Sequence, residues 1–104
     1  MRRDALLRKV KDTVRSVDPS AEVILYGSRA RRRARADSDW DFLVLIDGQA
    51  DESATRAIRY ALYEIEWQTG HVLSSIVRSR REWNSRPLTI TPFHENVSKE
   101  GVLL

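Results

Sequence analysis

Hydrophobic residues near the N-terminus recur every three or four positions between charged residues, which predicts an amphipathic helix. This stripe consists of Leu6, Val10, Val14 and Val17. A longer stripe of the same period follows Asp51, a favourable N-cap, and precedes Gly70, which suits a helix C-terminus. Its members are Ala54, Ile58, Ala61, Leu62 and Ile65. Two long amphipathic helices are therefore expected.

Three apolar runs have the length and composition of β-strands. Residues 21–26 end at Gly27, residues 40–46 are apolar on both faces, and residues 72–78 form a weaker third run. A strand that is apolar on both faces is typical of the centre of a sheet. Together with short helices capped by Ser79 and Thr91, these runs predict an α/β (α+β) fold, a small mixed sheet with helices mainly on one side.

Length and composition exclude several classes of protein. A chain of 104 residues that is 41% hydrophobic and 32% charged has ordinary globular composition, so we expect a single domain over residues 1–104. The longest apolar run, residues 42–46, is far shorter than the ~20 residues that a bilayer requires. Because the chain has no cysteine and no signal-like N-terminus, we expect a cytoplasmic protein without a membrane partner.

The candidate chemistry lies between the first two strands. Gly27 can let a phosphate approach the backbone closely, and Ser28 offers a hydroxyl and an N–H at a helix N-terminus. Asp39 and Asp41 are two positions apart at the start of a strand, so both carboxylates lie on one face. Oxygen ligands in this arrangement suit Mg²⁺. A phosphate turn beside an acidic pair predicts a nucleotidyl-transfer site.

Residues 27–31 (GSRAR) and residues 37–44 (DSDWDFLV) resemble the signature of the DNA polymerase beta-like nucleotidyltransferases. The resemblance is strongest to the minimal nucleotidyltransferases that act as antitoxins beside a HEPN-domain RNase toxin. It implies the nucleotidyltransferase fold and Mg²⁺-dependent transfer of AMP from ATP onto a protein hydroxyl, often a tyrosine of the toxin. By the same resemblance, nucleotide binding falls to Gly27, Ser28 and Arg29, whereas Asp39 and Asp41 are the magnesium ligands and catalytic residues.

The chain departs from the family pattern at two places. Arg32 stands where the family usually has a glycine after the basic helix. The family's third acidic residue usually lies on the third strand, where this chain has Ser74 and Ser75, and the nearest carboxylates, Glu66 and Glu82, lie outside that strand. The missing carboxylate leaves an alternative open, a catalytically weak or inactive protein of the same fold that neutralises its partner by binding.

Arginine dominates the basic residues, since only three of the 18 are lysine, and five arginines fall within residues 29–35. Residues 28–35 are predicted to be helical, with Ala30 and Ala34 facing inward and Arg31 and Arg35 sharing another face. This run is interpreted either as a solvated surface or as a site for phosphate and an acidic partner. Nucleic acid is a weaker candidate because the run has no interleaved aromatic residues. Association of the chain with further copies of itself into a homo-oligomer is a further alternative.

The aromatic residues are expected mainly in the interior. Those of the second strand alternate with the aspartates and should lie on the opposite face of the sheet. For Tyr60 and Tyr63 on the long helix, packing is the commoner role, and contact with a partner or self-modification is the alternative. Core positions are predicted for Trp40, Phe42, Trp67 and Trp83.

Overall fold

In the computed structural model, which describes residues 2–104, helices and strands alternate along the chain. The helices are α1 (Arg3–Val17), α2 (Gly27–Ala30), α3 (Glu52–Thr69), α4 (Arg80–Trp83) and α5 (Pro92–Glu100), with a 3₁₀ helix at Leu88–Ile90. The strands are β1 (Glu22–Tyr26), β2 (Trp40–Ile46), β3 (Leu73–Ser79) and β4 (Val102–Leu103). The predicted α/β (α+β) class is confirmed, and β4 is a strand that sequence reasoning missed. None of the helices within residues 2–104 combines the length and hydropathy needed to cross a bilayer.

The four strands form one mixed sheet in the order β3-β2-β1-β4. β1 is antiparallel to both β2 and β4, whereas β2 and β3 are parallel. The register places Asp41 of β2 opposite Tyr26 of β1 and opposite Ser74 of β3. The C-terminal end of β1 and the N-terminal ends of β2 and β3 therefore lie side by side at one end of the sheet.

The side chains of β2 alternate between two hydrophobic cores. Phe42 and Val44 pack on the face covered by α1 and α3, while Leu43 and Leu45 pack against α4, α5 and the 3₁₀ helix. The expectation that helices lie mainly on one side is therefore corrected. The two long helices cover one face and the short C-terminal helices cover the other, which is why β2 is apolar on both faces.

The predicted helix caps are present. The Asp51 carboxylate accepts a hydrogen bond from the Ala54 N–H at 2.8 Å, and Gly70 ends α3 with a φ of 75°. The Thr91 hydroxyl accepts from the His94 N–H at 3.2 Å at the start of α5. These groups satisfy N–H donors that a helix terminus leaves without a partner.

The helix predicted for residues 28–35 is wrong beyond Ala30. Arg32 has a φ of 56°, the left-handed conformation that glycine adopts at least cost, so the chain turns away directly after α2. The Arg31 guanidinium donates instead to the Glu100 carboxylate at 3.0 Å. Arg31 and Arg35 consequently do not share a helical face. Arg32 performs the turn at the position where the family resemblance expects glycine.

The core prediction is correct for three of the four aromatic residues and wrong for Trp67. Trp83 is 6% exposed and packs between the rings of Phe93 and His94, whereas Trp67 is 88% exposed. Trp67 lies two residues after Ile65, which places it on the opposite side of α3 from the buried stripe. Tyr60 and Tyr63 are exposed on this outer side as well, so internal packing is not their role.

Candidate functional site

Gly27 and Asp41 lie next to each other in the predicted site. Gly27 begins α2 with a φ of 76°, and a Cβ atom built on it would lie 2.5 Å from the Asp41 Oδ2 atom. A side chain at this position would meet both a strained backbone and a carboxylate. The structure thus brings the predicted phosphate turn and one predicted metal ligand into direct contact.

The two aspartates differ in environment. Asp39 is exposed just before β2, and Asp41 is half-buried as the second residue of β2. Burial raises the pKa of Asp41 above its usual value, and the negative charge of Asp39 raises it further. Among residues 2–104, neither carboxylate forms an ion pair with a basic side chain.

This environment fits a bound divalent cation. A cation between the two carboxylates would remove their mutual repulsion and supply the charge that the buried Asp41 lacks. Within the described chain, no group of three or more His, Asp or Glu residues has an arrangement that could hold a metal ion. Asp39 and Asp41 would therefore share Mg²⁺ with water or substrate oxygens, which this ion accepts readily.

Ser28 and Arg29 lie in the single turn of α2. The N-cap residue, Tyr26, makes no side-chain hydrogen bond to the start of this helix. The first N–H groups of α2 are thus not capped by that residue, and N–H groups at a helix N-terminus can bind an anion. They lie next to Asp41, which Gly27 contacts.

The Arg29 side chain is directed toward the loop that precedes Asp39. Its guanidinium donates to the carbonyls of Ala36 and Ser38 at 3.1 and 2.9 Å, and its central carbon lies 4.3 Å from the centre of the Trp40 ring. The Arg3 guanidinium donates to the Arg29 carbonyl at 2.9 Å. Arg29 thus holds the backbone from which Asp39 projects, a structural role that sequence reasoning did not predict.

A cavity of about 480 Å³ opens beside Asp41 and extends across β3, the outermost strand on this side of the sheet, to α3. It is lined by Tyr26, Asp41, Arg59, Leu62, Tyr63, Glu66, Leu73, Ser74, Ser75 and Ile76. The Glu66 carboxylate, which sequence reasoning left outside the site, accepts a hydrogen bond from the Leu73 N–H at 2.9 Å. Glu66 follows Ile65 of the buried stripe, and this proximity to the core face was the signal that could have located it.

Ser74 occupies the position beside Asp41 on the neighbouring strand. The two residues are register partners in a parallel pair, so their side chains emerge from the same face of the sheet. Ser75 emerges from the opposite face. Of the two serines, Ser74 is therefore the one that stands where a third carboxylate would join Asp41.

The family described as "Nucleotidyltransferase domain" matches residues 7–102 of the chain. A crystal structure of a toxin-antitoxin with AMP-PNP superposes with a TM-score of 0.63 at 18% identity, covering 92% of this chain and 69% of that one. A mutant of the toxin-antitoxin MntA-HpeT superposes with a TM-score of 0.62 at 15% identity and the same coverage. No curated protein matches the chain significantly. At these identities the structural likeness shows a shared fold.

Proposed function

Because this chain belongs to the nucleotidyltransferase domain family, we propose that it transfers AMP from ATP onto a hydroxyl group of a partner protein, with Mg²⁺ as cofactor. The contact between Gly27 and the Asp41 carboxylate is the observation that carries this proposal. It joins a turn suited to phosphate with a carboxylate suited to a cation, and nucleotidyl transfer requires both at the same point.

Each candidate residue has a distinct role in the proposed reaction. Gly27 and Ser28 bind the β- and γ-phosphates through backbone N–H groups, and Arg29 adds positive charge while it holds the loop before Asp39. Asp39 and Asp41 hold Mg²⁺, which when bound neutralises the charge of the triphosphate. The raised pKa of Asp41 supports this assignment. Burial and the charge of Asp39 destabilise the ionised carboxylate, and a bound cation would stabilise it.

The proposed reaction is an in-line displacement at the α-phosphorus of ATP. The acceptor oxygen forms a bond to this phosphorus, the bond between the α-phosphorus and the bridging oxygen breaks, and pyrophosphate leaves with the electron pair. The hydroxyl proton passes to solvent or to a carboxylate. Because Ser74 replaces the third carboxylate, we expect proton removal to be slow or to depend on the partner.

The proposed partner is a toxin of the HEPN class, neutralised by the modification in the cytoplasm. The structures that share this fold are described as toxin-antitoxin assemblies, and one was crystallised with AMP-PNP. These descriptions support both a toxin as acceptor and an adenine nucleotide as donor.

Incubation with α-labelled ATP, Mg²⁺ and the protein encoded by the adjacent gene tests the proposal. We expect the label on that protein, and we expect its loss in the double variant Asp39→Asn plus Asp41→Asn. Asp37→Asn is the matched control because Asp37 is an exposed aspartate of the same loop. Absence of label with the wild-type chain, or equal labelling by the double variant, would sink the proposal.

The missing third carboxylate favours one alternative function, neutralisation of the toxin by binding alone. On this alternative, the double aspartate variant still protects cells against the toxin, although it transfers no label. Loss of protection in the same variant would exclude the alternative, because Asp39 and Asp41 are needed only for the chemistry.

A further inference from the structure

We propose that the acceptor protein binds as an extended segment that adds a strand to the free edge of β3. This inference rests on the proposed function and names the surface by which the acceptor reaches it. β3 is the outermost strand on its side of the sheet, and the cavity beside Asp41 runs along its edge.

The hydrogen bonds of β3 determine which backbone groups face outward. The Trp40 N–H donates to the Val72 carbonyl at 2.9 Å, and this bond sets the phase of the parallel ladder. Even-numbered residues of β3 consequently bond to β2, and odd-numbered residues direct their N–H and C=O groups away from the sheet. Leu73, Ser75 and Val77 form this outer row.

Side chains cover the two ends of the outer row and leave its centre open. The Glu66 carboxylate accepts from the Leu73 N–H, and the Arg78 guanidinium donates to the Val77 carbonyl at 2.9 Å. Among residues 2–104, no group bonds to the Leu73 carbonyl, to either backbone group of Ser75, or to the Val77 N–H. Leu73 and Val77 are buried, whereas Ser75 is half-buried, so the N–H and C=O of Ser75 are the pair that the main chain of an added strand can reach.

Tyr63 lines the cavity from α3 and is continuous with exposed aromatic residues on the outer side of that helix. Tyr60, Tyr63 and Trp67 are three and four residues apart and all exposed, and we call them the aromatic face. The Tyr60 and Tyr63 rings contact each other edge to face at 6.1 Å, and Tyr63 also lines the cavity. Exposed aromatic clusters of this kind are typical of protein-binding surfaces.

The position of the edge relative to Asp41 indicates which segment it binds. An added strand would be two strand spacings, or about 10 Å, from the backbone of Asp41, across Ser74. A long side chain that carries a hydroxyl can cross this gap on the face of Ser74. The residues before and after it then point to the α3 side, where Tyr63 lies. We therefore expect the acceptor hydroxyl to be flanked by apolar residues.

Amide hydrogen exchange of the chain, alone and with the protein encoded by the adjacent gene, tests the added strand directly. We expect the Ser75 amide to exchange rapidly in the free chain and at least about tenfold more slowly in the complex. A complex in which Ser75 exchanges as fast as in the free chain overturns the inference. If the Ser75 amide exchanges slowly in the free chain, and more slowly as the concentration of the chain rises, the edge binds a second copy of the chain. That result also overturns the inference.

The variant Ser75→Pro tests the same edge through the reaction. The Ser75 N–H points away from β2, so proline removes no bond of the ladder but deletes a donor that the added strand needs. We expect at least about a tenfold higher KM for the acceptor with unchanged affinity for AMP-PNP. Leu103→Pro is the matched control, because Leu103 lies on the opposite free edge with its N–H also directed outward.

The outcomes separate this inference from the proposed function. If the wild-type chain neither binds nor labels the adjacent-gene protein, the proposed function fails. If it labels that protein and Ser75→Pro does so with the same KM, only the inference of an added strand fails. Should Ser75→Pro not bind AMP-PNP, the exchange of the Ser75 amide in the wild-type complex decides.

Discussion

Gly27 illustrates how a single residue can serve the backbone and the site together. Its positive φ requires glycine for the turn, and its missing Cβ leaves room for the Asp41 carboxylate. These two requirements are separable because Gly70 has nearly the same φ, 75°, but no atom within 4 Å of a built Cβ.

We predict that Gly27→Ala lowers the free energy of unfolding by at least about 1 kcal/mol and abolishes binding of Mg²⁺ with AMP-PNP. Gly70→Ala should cost about 1 kcal/mol through backbone strain alone and should leave nucleotide binding intact. Urea denaturation and calorimetric titration of both variants measure these effects. Equal nucleotide affinity in the two variants would contradict the role assigned to the contact between Gly27 and Asp41.

The raised pKa of Asp41 predicts a pH-dependent effect on the stability of the chain without ligands. A carboxyl group whose pKa is higher in the folded state stabilises that state below its unfolded pKa of about 3.9. This contribution is lost as the pH rises through the folded pKa. Asp41→Asn removes the carboxyl group, so the variant should be more stable than wild type at pH 7, and this advantage should shrink near pH 3.

Denaturation midpoints of wild type and Asp41→Asn at both pH values check this expectation. Asp37→Asn serves as the control for removal of a negative charge from the same region. A difference between wild type and Asp41→Asn that does not change with pH would show that the charge of Asp41 has no energetic consequence in the folded chain.

Among the secondary-structure elements, the parallel register of β2 and β3 determines which residue of β3 stands where the family has its third acidic residue. It places the Ser74 side chain on the face of Asp41 and the Ser75 side chain on the other face. We predict that Ser74→Asp increases the affinity for Mg²⁺ in the presence of AMP-PNP by about tenfold or more, because a third carboxylate joins the pair. Calorimetric titration with the metal gives this affinity.

Ser75→Asp is the matched control for this substitution, since it adds the same charge one residue away. We expect it to leave the magnesium affinity close to that of wild type. If both variants bind Mg²⁺ with equal affinity, long-range charge accounts for the gain, and Ser74 does not occupy the position of the third acid.

The sequence predicted elements whose signals are local and missed features that depend on tertiary contacts. The bounds of β2 and the cap at Asp51 follow from residue spacing and cap chemistry. The end of α2 does not, because arginine at residue 32 adopts a conformation that its type rarely favours. The buried stripe of α3 indicates that Glu66 lies near the core face, but its bond to Leu73 depends on how α3 packs beside β3, which helical spacing does not specify.

In the whole molecule, the arginines of residues 29–35 make different contacts and do not act as one basic surface. Arg29 holds the loop before Asp39, and Arg31 pairs with Glu100 of α5. Three further arginines of the run are exposed and form no ion pair within residues 2–104, namely Arg32, Arg33 and Arg35, which lie beyond the end of α2. The run therefore forms no continuous basic helical face for a partner, and the aromatic face and the edge of β3 are the stronger candidates for one.

Ligand binding at the site should stabilise the entire domain, because only the folded chain brings Gly27 and Asp41 together. At ten times its dissociation constant, AMP-PNP with Mg²⁺ should stabilise the fold by about 1.4 kcal/mol. For a domain of this size, the thermal midpoint should rise by roughly 5 to 10 °C. A thermal melt of the wild-type chain with and without both ligands measures the shift.

The same melt with Mg²⁺ omitted distinguishes the contribution of the cation from that of the nucleotide. The increase in the thermal midpoint of the wild-type chain should be smaller when Mg²⁺ is absent. The double variant Asp39→Asn plus Asp41→Asn should show this smaller increase with AMP-PNP whether or not Mg²⁺ is present. These outcomes follow if the two aspartates are the sole protein ligands of the ion. A double variant that retains the full magnesium-dependent shift would place the cation at other residues, because the loss of both carboxylates leaves only neutral amide and backbone oxygens at the start of β2.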